Sequence, residues 1–263
     1  MSPIRAVTFD FWDTLLRAPG AAAARVGRRE RLLPLLSSLG ASVDADALDH
    51  QLAEARRRYD EGWVANVPYS GDEAVGDLLE GIGLALGDED RRRVLDAFTG
   101  AGRADVPALN PHVAEVLDAL RAAEVRVGII CDVGLVPSTV LRGYLEHHGV
   151  LDRFDHWSFS DEVGVFKPDL RIFRHAFAGL GVDDPAAAAH VGDLRRTDVA
   201  GARAAGMVSV RYAGSHDDQS EVVVPAEGDR AALGLSSLEP GDRMEAHHVI
   251  TDHLDLLDVL GIN

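Results

Sequence analysis

The stretch Ile4-Arg5-Ala6-Val7-Thr8-Phe9-Asp10-Phe11-Trp12-Asp13-Thr14-Leu15 decides how the rest of the chain is read. Residues 4–9 read as a short buried strand, and the strand stops on a carboxylate, Asp10. The next segment, residues 20–105, reads as entirely helical. Leu32, Leu33, Leu35, Leu36 and Leu39 mark the first helix, over 20–39, and helices over 44–64, 71–86 and 88–101 follow, separated by Gly, Pro and Asp. Asn110-Pro111 reads as an N-cap and first-turn proline of a helix running through Arg121.

Beyond Arg121 the pattern alternates. Strands are expected at 125–131, 157–160, 187–191, 208–212 and 248–251, and helices at 137–148, 172–180, 197–205 and 253–260. Such alternation implies right-handed crossovers and a parallel sheet covered on both faces, the α/β class. The all-helical block is then an insertion after the first strand. Residues 214–245, rich in Gly, Ser, Asp and Glu, read as a long surface loop with a strand at 221–224. No internal repeat is visible.

Composition limits the functions open to such a chain. Its 263 residues can bury a sizeable core without disulfides or structural metal. One cysteine, Cys131, excludes an intrachain disulfide and a cysteine-based zinc site. A net charge of −17 argues against a nucleic-acid partner, which needs clustered positive charge. The apolar stretch 4–16 is too short, and too interrupted by Asp10 and Asp13, to be a signal peptide or membrane span. The expectation is a soluble cytoplasmic protein with no membrane partner. Lysine occurs once, at Lys167, among 26 Lys and Arg residues. In so Arg-biased a chain the lone compact ammonium invites a chemical reason.

In an open parallel sheet the ligand crevice lies beyond the carboxyl ends of the strands. Four places put unusual residues there: Asp10; Cys131-Asp132; Lys167, which follows the third strand; and Gly192-Asp193, with Asp198 five residues on. Singly, a strand-end Asp is as often a turn former, and a lone Cys is more often a small buried hydrophobe. Four on one edge are harder to dismiss.

With these four motifs in order, and a helical block after the first strand, nearly the whole chain resembles the haloacid dehalogenase superfamily of hydrolases. That resemblance implies a Rossmann-like core of residues 1–16 and 106–263 and a helical cap of residues 17–105, which in the family closes over the site and supplies leaving-group specificity. It implies Asp10 as nucleophile, Lys167 as the neutralising cation, and Cys131, Asp132 and Thr14 as phosphate-binding residues. It implies Mg²⁺ held by Asp10, the Trp12 backbone carbonyl, Asp193 and Asp198, because crowded carboxylates repel an anionic substrate and a hard divalent cation relieves that repulsion.

Two positions depart from the family pattern. Trp12 stands where the phosphatases carry the Asp that protonates the leaving alcohol, and Cys131 replaces a Ser or Thr. Asp13, one residue later, is a candidate for the missing acid; its other reading is a bond to nearby backbone amides. The foremost expectation is a Mg²⁺-dependent phosphatase of a small molecule. A 2-haloacid dehalogenase is the second reading, since relatives of that kind carry an aromatic residue at this position and halide needs no proton. A binding or regulatory protein on a catalytically weakened scaffold is the third. Oligomeric state is not legible.

Overall fold

The computed structural model describes residues 3–100, 106–222, 241 and 244–262. By internal contacts the chain divides into two compact units, one of Met1–Ala18, Pro107–Asp132 and Leu145–Asn263, the other of Pro19–Val106 and Val133–Tyr144.

The first unit is built on a sheet. Among the described residues it holds β1 (Ala6–Phe9), β2 (Arg126–Cys131), β3 (His156–Phe159), β4 (Ala188–Gly192), β5 (Val208–Tyr212) and β6 (His248–Ile250). All neighbours pair in parallel, in the order β3-β2-β1-β4-β5-β6. Every residue of β1 and β4 is buried, as expected of central strands covered on both faces. One covering layer packs Ile172, Phe173, Ala176 and Leu180 against Ala6, Ile130 and Ala188. β2 and β4 flank β1, the chain's first strand, so the strand order reverses between β1 and β4. That is the switch point where the carboxyl ends of an open α/β sheet leave a crevice.

The second unit is helical: α1 (Ala21–Ser38), α2 (Ala45–Ala65), α3 (Gly71–Gly81) and α4 (Asp88–Thr99). Its core gathers Leu32, Leu36, Leu48, Leu52, Val75, Leu78, Val94 and Phe98. Asp44 caps α2 by accepting from the Ala47 amide at 2.8 Å, and Ser70 with Glu73 forms a reciprocal capping box on α3. Helix α3 stops five residues short of the 71–86 expected from periodicity. Gly83 there adopts φ +68°, a left-handed stop that glycine takes at no steric cost. This unit also takes in Val133–Tyr144, a segment that the alternating pattern assigns to the sheet unit. The reason is packing: Leu135 is buried in the helical core, and Gly134 lies against the Tyr59 ring.

Helix α5 (Val113–Ala122) begins later than expected, with His112 at φ +60° as its N-cap residue, so Asn110 does not cap it. Helix α6 spans Ser138–His147. Two further elements, α7 (Ser160–Val163) and α8 (Leu170–Leu180), lead to β4. After β4 comes a π-turn over Arg195–Val199, then α9 (Ala200–Ala204); α10 (Asp255–Leu260) is the last helix. The expected strand at 221–224 is not formed at Glu221 and Val222, and its remainder lies outside the described residues. No helix among the described residues is long and apolar enough to cross a membrane.

Phe98 is fully buried at the centre of the helical unit, with the Arg28 guanidinium 4.9 Å above its ring. Phe98→Ala should cost about 3–5 kcal/mol of stability, the usual range for emptying so large a core site. Denaturant unfolding followed by circular dichroism checks this; an unchanged midpoint would contradict the packing described.

Candidate active site

Asp10 continues the β1 ladder by donating its amide to the Val191 carbonyl at 2.8 Å, so its side chain emerges at the switch point. Lys167 reaches the same place from the loop after α7. Its backbone amide donates to Asp132 Oδ1 at 2.7 Å, and its Nζ lies 3.0 Å from the Ile130 carbonyl. The ammonium donates to Asp10 Oδ1 and, at 2.6 Å, to Asp198 Oδ1, with only 2% of the side chain exposed. Carboxylate oxygens of Asp10, Asp193 and Asp198 all lie within 4.8 Å of one another. Four of the residues expected at the site are therefore in one nest.

Asp198 is fully engaged. Its Oδ1 accepts from Lys167 and from His190 Nε2 at 3.1 Å, and its Oδ2 accepts from the Leu194 amide at 3.0 Å and the Thr197 hydroxyl at 3.4 Å. Gly192 makes this possible, because a Cβ there would stand 2.2 Å from Asp198 Cγ. The π-turn delivers Asp198 to that spot; such turns recur at functional sites. Asp193, by contrast, accepts no hydrogen bond among the described residues and is 5% exposed.

The electrostatics follow from this crowding. Burial, with the negative charge of Asp198, pushes Asp10 up to about 7 despite Lys167. Burial, Asp198 and Asp10 together push Asp193 up to about 9. Burial would also raise Asp198, but Lys167 and His190 outweigh it and hold that carboxylate below its ordinary value. Burial opposes the charge on Lys167 too, yet Asp10, Asp198 and Asp132 keep its ammonium well above the usual lysine value. Fully ionised, three carboxylates facing one ammonium would carry two negative charges, the charge that one divalent cation cancels. The oxygen-only donor set, with a free Asp193, suits Mg²⁺.

His190 is a residue the sequence reading did not single out. It is fully buried on β4, its ring edge-on to Phe173, with Nδ1 2.9 Å from the Thr8 hydroxyl. Burial lowers its pKa, and a neutral ring facing a carboxylate carries its proton on Nε2. Thr8 then donates to Nδ1, and His190 donates to Asp198. The only advance signal was a polar residue inside an apolar strand, which is also how a core histidine looks.

The remaining expected residues sit around the nest. Asp13 stands at φ +54° and its Oδ1 accepts from the Ala18 amide at 3.0 Å, the turn-forming arrangement. Thr14 is fully buried, and its Oγ1 has no hydrogen-bond partner among the described residues. Its carbonyl accepts from Asn110 Nδ2 at 2.8 Å, and the Asp13 carbonyl accepts from the same nitrogen at 3.2 Å. Asn110 therefore holds the loop after Asp10, which is what its side chain does in place of capping α5. Trp12 is half-buried, its ring edge-on to Phe11 at 5.0 Å. Cys131 is fully buried at the end of β2, where burial and then the Asp10 charge push its thiol well above the ordinary range. It remains a protonated, weak donor.

Comparison with known proteins adds the family. Residues 4–206 match the haloacid dehalogenase-like hydrolases. The chain is 32% identical over 130 residues to pyrimidine 5'-nucleotidase YjjG of Escherichia coli (strain K12), which covers 49% of this chain and 56% of that one. The alignment thus spans little more than half of that relative. It is 30% identical over 210 residues to glyceraldehyde 3-phosphate phosphatase of Methanopyrus kandleri, covering 79% of this chain and 83% of the relative. In fold it resembles the crystal structure of a 2-haloacid dehalogenase from Pseudomonas syringae pv. Tomato DC3000, with a TM-score of 0.63 and 24% identity over 98% of each chain.

The raised carboxyl groups make a stability prediction. Folded Asp10 and Asp193 bind protons more tightly than the value of 3.8 usual for an aspartate, reaching about 7 and about 9. These two groups should therefore cost the metal-free protein stability as pH rises from about 4 towards 9. Asp193→Asn removes one such group, so in chelator its melting temperature should exceed that of the unmutated protein at pH 8 and match it near pH 4. Parallel melting curves across that range would contradict the burial of an uncompensated Asp193.

Proposed function

Because the chain belongs to the haloacid dehalogenase-like hydrolases, we propose that it is a phosphatase of small molecules, using Asp10 as nucleophile and Mg²⁺ as its cation. The observation that carries this reading is the nest itself: Asp193 without a hydrogen-bond partner among the described residues, within 4.8 Å of Asp10 and Asp198, and one ammonium to serve all three. Asp10, Asp193 and the Trp12 carbonyl would hold the cation, and Asp198, with both oxygens already engaged, would reach it through water. Bound there, Mg²⁺ would offset the negative charge of the carboxylates and of the transferring phosphoryl group.

The chain's own groups do the rest. Lys167 donates to Asp10 Oδ1, which leaves Oδ2 as the attacking atom. Attack on phosphorus forms an aspartyl phosphate and expels the leaving oxygen with its bonding electrons. Water then attacks the phosphorus of that intermediate and frees Asp10 and inorganic phosphate. Lys167 also meets the charge that develops on the phosphoryl oxygens. Neither residue after Phe11 offers a ready acid for the leaving oxygen: Trp12 has no carboxyl, and Asp13 is held by the Ala18 amide. Substrates whose leaving group departs as a stable anion are therefore the ones this site favours.

That same absence supports a second reading, halide displacement from a 2-haloacid, since halide leaves unprotonated. Chelation separates the two: phosphate release that needs Mg²⁺ supports the first, and chelator-resistant chloride release from 2-chloropropionate supports the second. Within the phosphatase reading, Asp10→Asn should abolish hydrolysis of 4-nitrophenyl phosphate without unfolding the protein. Aryl phosphates should be cleaved far faster than alkyl phosphates. Trp12→Asp should raise alkyl phosphatase activity, by up to the roughly 10²–10⁴-fold a positioned acid supplies. A flat dependence on leaving-group pKa, abolished by Asp13→Asn, would instead make Asp13 the acid.

A further inference from the structure

The segment that follows β5 reaches both loops that carry the carboxylates, one through Asn110 and the other directly. Ser215 donates its hydroxyl to Asn110 Oδ1 at 2.5 Å. Asn110 is 2% exposed, and its Nδ2 donates to the Asp13 and Thr14 carbonyls, while its backbone amide donates to the Leu15 carbonyl at 2.8 Å. With its oxygen held by Ser215, the amide of Asn110 has one orientation, and the loop after Asp10 is held at three consecutive carbonyls.

Three residues further on, Asp218 does the same for the other loop. It is 6% exposed in an otherwise exposed stretch. Its Oδ2 accepts from the Arg195 amide at 2.8 Å and its Oδ1 from the Ser220 amide at 2.8 Å. Arg195 lies between Asp193 and Asp198 and opens the π-turn. Its side chain is tied as well, donating to Glu245 at 2.8 Å. Glu245 and Asp217 are in turn both held by Arg211, a buried residue of β5, at 3.2 and 2.6 Å. The anchors come from the sheet, so the segment is fixed at its root.

We propose that residues 215–220 are a strap that sets the spacing between the Asp10 loop and the Asp193–Asp198 loop, with Ser215 and Asp218 as positioning residues for the cation site. The proposal rests on the Mg²⁺-dependent reading above. A cation shared by carboxylates on two loops demands that both loops stay in register, and partners outside the ligand set commonly govern metal affinity by 10–100-fold.

Two readouts test it. Amide hydrogen exchange on the metal-free protein reads the strap with no cation or substrate present. Asp218→Asn, which turns an NH₂ towards one of the two amides its oxygens now accept from, should speed exchange at Arg195 about tenfold or more. Calorimetry with Mg²⁺ alone reads the consequence. Asp218→Asn should weaken binding about 10–100-fold, Ser215→Ala should weaken it less, and Ser215→Thr should restore it. The catalytic deficit of both weakened variants should shrink as Mg²⁺ is raised. Unchanged exchange at Arg195 in Asp218→Asn overturns the strap, as does unchanged Mg²⁺ affinity in both folded variants. If the unmutated protein binds no Mg²⁺, the phosphatase reading falls and exchange alone decides the strap.

Discussion

Burying an ammonium costs several kcal/mol unless charges and hydrogen bonds meet it inside the protein. Lys167, the chain's one lysine, is such an ammonium, and it is met by Asp10 from β1, Asp198 from the π-turn after β4 and the Ile130 carbonyl of β2. Three strands must therefore end at the same level for Lys167 to be tolerated at all. The parallel sheet provides this, since its register carries β1 alongside β2 and β4 residue for residue. Removing Lys167 would leave buried carboxylates facing each other; removing Asp10 or Asp198 would leave a buried cation half paired.

The same constraint leaves one carboxylate of the nest without a cation. Lys167 compensates Asp10 and Asp198 and leaves Asp193 to burial and repulsion, which is why Asp193 is the group pushed furthest up among the three. His190 and Thr8 fix Asp198 from behind, Asn110 fixes the loop after Asp10, and Asp218 fixes the turn between Asp193 and Asp198. Hydrogen-bonding capacity here is spent on holding carboxylates in place. Asp193 and the second oxygen of Asp10 are left with capacity to spare, and these are the atoms a cation or an electrophile would meet.

What was legible in the sequence follows from where strands end. Asp10, Asp193 and Lys167 could be placed together because an α/β alternation puts every strand's carboxyl end on one edge, and the lone lysine stood out against an Arg-rich background. The helical insertion was legible from its leucine stripe. Three things were not. Asn110-Pro111 looks like a helix start, and nothing local shows that the amide reaches back to Asp13 and Thr14. The grouping of Val133–Tyr144 with the helical unit depends on Leu135 finding an apolar core distant in sequence. Asp217 and Asp218 are neighbours of one type, and only the fold tells the one that pairs with Arg211 from the one that holds the Arg195 amide. Each is a long-range contact without a local signature.

In the proposed reading a divalent cation takes the place of protons in the nest. Titration calorimetry of Mg²⁺ at pH 8, repeated in buffers of different ionisation enthalpy, counts the protons exchanged on binding. With Asp193 pushed up to about 9 in the metal-free protein, Mg²⁺ should bind with net release of protons, and Asp193→Asn should lose most of that release. Mg²⁺ binding with no proton release, or release that survives Asp193→Asn intact, would contradict the account.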